Sequence, residues 1–186
     1  QVFTLTTKTV DGDDTTASIS FKDLPRDVRS GDTILIDDGL IALRVDKTTT
    51  TEIRCLVVNG GAVSSHKGIN VPGAHLSMPF MSEQDRRDIA FACEVDADFI
   101  AASFTRSADD VLQIRQELEV HNNHSIRIIA KIENAEGVDS IDDIIKVSDG
   151  IMVARGDMGV EIAFEELPSI QKKLIHKGYN AGLQVI

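Results

Sequence analysis

From Ser82 onward the sequence alternates short apolar runs with helical stripes, and it completes three such units. Asp98 to Ser103, Ile126 to Glu133, Gly150 to Ala154 and the terminal Gln184-Val185-Ile186 read as strands. Ser82 is placed to cap a helix running to about Glu94, with Ile89, Ala90 and Cys93 on one face. Ser107 with Asp110 resembles a capping box, and Val111, Ile114 and Leu118 form the buried stripe behind it. A third helix ends near Val147. A fourth follows a glycine-rich turn and carries Leu167, Ile170, Leu174 and Ile175. Strand–helix–strand repetition requires parallel strands, because the chain must return to the same end of the sheet, and the crossovers are right-handed. An open doubly wound sheet and part of a (β/α)8 TIM barrel both satisfy this pattern. No G-x-G-x-x-G follows a strand, which disfavours the dinucleotide-binding form of the open sheet. Four strands within about 90 residues amount to roughly half of a barrel, since a complete one takes about 250.

Residues 1–71 obey a different pattern. Val2, Phe3 and Leu5 open a strand, and Ala17 to Phe21 alternates with period two. Thr33 to Ile36 and Leu40 to Val45 flank Asp37-Asp38-Gly39, a hairpin signal because glycine accepts positive φ. Thr48 to Thr51 leads into Glu52 to Val58, which Asn59-Gly60-Gly61 ends. Short antiparallel strands at this spacing suggest a small all-β barrel or sandwich. Pro72 and Pro79 bracket the change of pattern. The chain is therefore read as α/β: an all-β domain over 1–73 preceding part of a (β/α)8 barrel over 74–186.

The formal charge of -11, with no basic stripe, argues against nucleic acid or an anionic membrane as partner. No apolar segment approaches the length of a membrane span. Cys55 and Cys93 lie in apolar or helical patterns outside any C-x-x-C, as expected of reduced thiols in a cytoplasmic protein. Strand patterns begin at Gln1 and continue to Ile186, so the chain reads as a piece of a longer protein.

Charge at a strand end carries the chemistry. In a strand, residues two apart share a face, so Ile129, Lys131 and Glu133 point the same way, with both charges at the carboxyl end. Ligands of parallel α/β folds bind at that end. The next strand ends in Ala154-Arg155-Gly156-Asp157-Met158-Gly159, where two glycines permit a tight turn; a helix starting there would add free N–H groups for an anion. Two carboxylates suit Mg²⁺ or Mn²⁺, which keep positions for water and substrate oxygens. A neighbouring lysine suits phosphoryl transfer, where catalysis is positioning and electrostatics. The plainer alternative is a partly exposed salt bridge worth about 0–1 kcal/mol.

The segment Ile126 to Val138, IRIIAKIENAEGV, closely resembles the active-site signature of pyruvate kinases, and Ala154 to Glu161, ARGDMGVE, resembles that family's second motif. Ile36 to Ile41, His66 to Gly73 and Ala102 to Arg106 match family segments in the same order, so the resemblance covers essentially the whole chain. It implies a B domain inserted into a (β/α)8 A domain, and phosphoryl transfer from phosphoenolpyruvate to ADP with Mg²⁺ (or Mn²⁺) and K⁺. It further implies a homotetrameric parent. By matching position, Lys131 stabilises the phosphoryl group and the enolate, and Glu133 and Asp157 are the divalent metal ligands. The backbone around Ala154, Arg155 and Gly156, with Asp157, holds the substrate. Lys67 and Asp38, on the lid, approach the nucleotide phosphates. His66 stands where many members carry a second lysine. The family's substrate arginine and monovalent-cation ligands would precede Gln1, and a catalytic threonine would follow Ile186. The 186 residues alone are therefore expected to lack useful turnover.

Two other readings compete: a Mg²⁺-dependent lyase or aldolase barrel acting on phosphoenolpyruvate or pyruvate, which would not need the β module, and a non-catalytic binding module. Smaller motifs carry less. Arg155-Gly156-Asp157 spells the adhesion tripeptide inside a strand-to-helix turn. The five histidines show no metal spacing, and Asp11 to Asp14 lacks the glycine and distal glutamate of an EF-hand. Arg106 suits either substrate or a structural ion pair.

Overall fold

Alternation of buried and exposed residues builds the first of two units, Gln1–Met78, in the computed structural model, which describes all residues from Gln1 to Ile186. Its strands are β1 (Val2–Thr6), β2 (Thr16–Ser18), β3 (Thr33–Ile36), β4 (Ile41–Thr48), β5 (Glu52–Asn59) and β6 (Ile69–Asn70), in the order β2-β1-β5-β4-β3-β6. Ile41, Leu43 and Val45 of β4 and Ile53 and Cys55 of β5 turn inward, onto Leu5, Ile34 and Ile36. Two irregularities in the β4–β5 register, at Ala42/Leu43 and Val45/Lys47, bend the pair. Between β3 and β4 the Leu40 amide donates to the Asp37 carbonyl at 3.1 Å, and Asp38 and Gly39 hold φ of 54° and 87°. That is a type I′ turn, whose twist matches the flanking strands.

Three features depart from the sequence reading. β2 runs parallel to β1, not antiparallel, and stops at Ser18. Its loop is turned by Asp13, whose Oδ1 accepts from the Thr15 and Thr16 amides at 2.7 and 2.8 Å. A one-turn helix, α1 (Leu24–Asp27), carries Pro25 in its first turn, where no amide is missed. The unit also continues past Gly73. Ala74 and Leu76 pack on its core, and the Ser77 amide and hydroxyl donate to the Asp27 carboxylate at 2.8 and 2.9 Å.

The second unit, Pro79–Ile186, contains α2 (Glu83–Glu94), β7 (Phe99–Ala102), α3 (Ala108–Val120), β8 (Arg127–Ile132), α4 (Ala135–Asp139), α5 (Ile141–Val147), β9 (Gly150–Val153), α6 (Arg155–Glu161), α7 (Leu167–Asn180) and β10 (Gln184–Val185). Complete capping boxes open α2, from Ser82 and Asp85, and α3, from Ser107 and Asp110. The four strands are parallel and lie in chain order, β7-β8-β9-β10. A doubly wound sheet would reverse direction at a switch point; a sheet that always advances the same way is the arrangement of a (β/α)8 barrel.

One face of this sheet is covered. Ile128, Ala130, Ile132 and Ile151 share a core with Val111, Ile114 and Leu118 of α3, Ile144 of α5 and Leu174 of α7. The opposite face carries Phe99, Ala101, Ile129 and Lys131. Gly150 lets Ile129 lie flat there, since a Cβ would stand 2.7 Å from Ile129 Cδ1. The third expected helix is two, divided at Ser140, and the glycine-rich turn is itself the short helix α6. Buried Met158 anchors α6 despite its glycines, while Ile175 of α7 is exposed.

Candidate active site

β8 delivers two charges to its carboxyl end in different environments. Lys131 is partly exposed, whereas Glu133 is 1% exposed. Glu133 Oε2 accepts a hydrogen bond from the Phe104 amide. Glu133 Oε1 stands 2.5 Å from Lys131 Nζ, an ion pair, and has no other polar partner. The ammonium also donates to Ser103 Oγ at 3.0 Å. A surface salt bridge would leave both heads in water; this carboxylate is withdrawn from water, with the Lys131 ammonium alone against Oε1. Such an arrangement is costly unless another charge completes it.

The loop after β7 frames the pair. Phe104 adopts φ of 53°, a left-handed conformation unusual for a non-glycine residue. It is held there from several sides. Thr105, fully buried, donates from Oγ1 to the Ala102 carbonyl at 3.0 Å, and the Arg106 and Ser107 amides donate to Asp110 Oδ2 at 2.8 and 3.1 Å. Arg106 itself forms an ion pair with Asp110, Nε to Oδ2 3.8 Å. From the other side, a Cβ on Gly137 would lie 2.6 Å from the Thr105 carbonyl oxygen, so only glycine lets α4 approach this closely. Asn134 caps α4 through Gly137 N–H donating to Oδ1 at 2.7 Å.

At the end of β9, Ala154 is half-buried and its amide donates to the Ile132 carbonyl at 3.3 Å, tying the two strand ends together. Arg155, Gly156 and Asp157 form the exposed first turn of α6. Nothing lies within 4 Å of where a Gly156 Cβ would be, so the backbone there is open to a ligand. Arg155 Nη1 donates to Gln171 Oε1 at 3.4 Å. No cluster of three or more His, Cys, Asp or Glu side chains forms a closed cation cage. Glu133 and Asp157 are hard oxygen donors of the kind a divalent cation takes, Glu133 buried at the end of β8 and Asp157 exposed in the first turn of α6 after β9.

In the first unit, Asp38 is exposed at the hairpin tip and Lys67 pairs with Asp37, not Asp38, at 2.9 Å. The Asp37 amide donates to the Gly68 carbonyl at 3.1 Å, so the hairpin and the loop bearing Lys67 are one structure.

Sequence reasoning assigned no role to Ser103 or the Phe104 amide. The signal lies across strands: the register pairs Ala102 with Ala130, and one step further sets Ser103 beside Lys131. Asp149 was also missed. It precedes β9, at the opposite end of the sheet from Glu133, and its Oδ2 accepts from the Ile128 amide at 2.9 Å and Arg115 Nη2 at 3.0 Å, while Arg127 Nη1 reaches Oδ1 at 3.3 Å. Partial burial works to raise the Asp149 pKa, but the amide and the two guanidinium groups outweigh it and hold the carboxyl below its ordinary value. Burial, reinforced by Asp46, pushes the Cys55 thiol up to about 11, so it is inert as a nucleophile.

A family model described as pyruvate kinase, barrel domain, matches residues 1–186. The chain is 51% identical over 175 residues to a pyruvate kinase of Clostridium perfringens and 53% identical over 175 residues to one of Clostridium acetobutylicum, each alignment covering 94% of this chain and 37% of the relative. A pyruvate kinase of Thermotoga maritima is 46% identical over 175 residues, again 94% of this chain and 37% of the relative. The chain thus spans little more than a third of the length of these relatives.

Proposed function

The chain belongs to the pyruvate kinase family, and from that premise we propose that its full-length parent transfers a phosphoryl group between phosphoenolpyruvate and ADP, giving pyruvate and ATP. The observation that carries this reading is the almost fully buried Glu133 paired with the partly exposed Lys131 ammonium at 2.5 Å, at the carboxyl end of a parallel sheet.

Lys131 places a positive charge where phosphoryl and enolate oxygens become negative, and its partial exposure leaves the ammonium accessible to them. Glu133 and Asp157 would hold Mg²⁺ or Mn²⁺, which when bound would neutralise charge on substrate oxygens as a Lewis acid. The open backbone of Ala154, Arg155 and Gly156 would take the substrate carboxylate. Lys67, oriented by Asp37, would reach the nucleotide phosphates from the first unit, and Asp38 beside it would border the same groups. K⁺ in the complete site, a homotetrameric assembly and a cytoplasmic location complete the proposal.

The test uses the full-length parent. Lys131→Met is expected to abolish phosphoryl transfer while Mn²⁺ still binds, read by electron paramagnetic resonance. Glu133→Gln and Asp157→Asn are each expected to weaken Mn²⁺ binding. Retained turnover in the first, or unchanged Mn²⁺ affinity in both of the others, rules the assignment out.

A further inference from the structure

We infer that Ser103 is a positioning residue for Lys131: its hydroxyl, on the neighbouring strand end, holds the ammonium in the place from which it acts. The inference rests on the phosphoryl-transfer reading above. A lysine side chain has four rotatable bonds and loses much rotamer freedom when it is confined to one direction, so a lysine used for positioning needs a fixed acceptor. Glu133 Oε1, 2.5 Å from Nζ, meets the ammonium from one side, and Glu133 Oε2 is engaged by the Phe104 amide. Any cation that takes Oε1 also competes with the ammonium for that oxygen. Ser103 Oγ, 3.0 Å from Nζ, is the contact that remains.

Its placement is fixed by the fold. The β7–β8 register carries Ser103 to the level of Lys131, and the two lie on the face turned away from the helices. The residues after Ser103 cannot drift, since Phe104 N–H is bound to Glu133, Thr105 Oγ1 to Ala102, and the Thr105 carbonyl is packed against Gly137. Ser103 itself is exposed, so its hydroxyl satisfies no buried group of the core. A serine on a rigid, strained loop, bonded to a single functional cation, has positioning as its evident role.

Three variants of the full-length parent test this. Ser103→Ala is expected to lower kcat by about tenfold to a hundredfold, the loss of one charge-assisted hydrogen bond, with KM for phosphoenolpyruvate changed by less than about threefold. The urea unfolding midpoint should not move. Ser103→Thr, which keeps the hydroxyl, should recover most of the lost kcat. A Ser103→Ala enzyme with normal kcat beside an inactive Lys131→Met enzyme overturns this inference alone. Failure of threonine to recover activity also overturns it. Turnover in Lys131→Met removes the reading beneath it, and Ser103 with it.

Discussion

Glu133 and Asp149 are carboxylates of the same four-stranded sheet, one at its carboxyl end and one at its amino end, and they are treated in opposite ways. Asp149 keeps contact with water and is nevertheless given a donor at both oxygens, from Ile128, Arg115 and Arg127. Glu133 is buried almost completely; one oxygen takes the Phe104 amide and the other is met only by the Lys131 ammonium, itself partly exposed. The fold spends its hydrogen bonds on the end of the sheet that needs only to be stable. At the other end a buried carboxylate leans on a side-chain ammonium, a pairing that the proposed cation site could rearrange.

The sharpest way to break this contrast is Glu133→Gln. The neutral amide still accepts from the Phe104 amide, and Lys131 can turn to water, so unfolding free energy by urea denaturation should change by no more than about 1 kcal/mol. Turnover of the full-length parent should fall on the order of a thousandfold, because the lost group is a charge the reaction needs. A large loss of stability with activity preserved would make Glu133 the structural residue.

Asp149→Ala should invert that outcome. It strands the Ile128 amide and takes one acceptor from Arg115, which keeps its bond to the Val147 carbonyl, while Arg127, 65% exposed, stays in water; the expected cost is about 1–2 kcal/mol in urea denaturation of the chain. Turnover per folded parent molecule should be unchanged, since Asp149 lies at the far end of the sheet from Lys131. A drop in kcat without a drop in stability would mean that the two ends are not separable.

Much of this contrast was legible in the sequence, and the part that was not has a physical reason. Period two along β8 puts Lys131 and Glu133 on one face whatever the neighbours do, so that placement needed no tertiary information. Ser103 and Asp149 matter through bonds that cross between strands or between a strand and α3, and a single strand does not encode its partner's register. The same gap explains β2, whose alternation is compatible with either direction and which pairs parallel with β1. At Arg155 to Glu161 the glycines suggested a turn, yet buried Met158, and Leu167 Cδ1 only 3.1 Å from where a Gly159 Cβ would stand, favour a helix that local propensity disfavours.

The smallest expected effect is also the one that isolates Asp149 from the rest of the molecule, and it is read through pH. The folded pKa of Asp149 is below its ordinary value of 3.8, so ionised Asp149 stabilises the folded state over the unfolded one. That contribution is full above about pH 5, begins to fade as the unfolded carboxyl titrates, and is gone once the pH has fallen through the folded value. Asp149→Asn cannot titrate and lacks the contribution at every pH. Urea midpoints of the two proteins should therefore stand apart at neutral pH and draw together below about pH 4, with the native chain losing more. A gap between the Asp149→Asn and native midpoints that stays constant down to about pH 3 would show that ionised Asp149 adds no stability, and would undo the contrast between the two ends of the sheet.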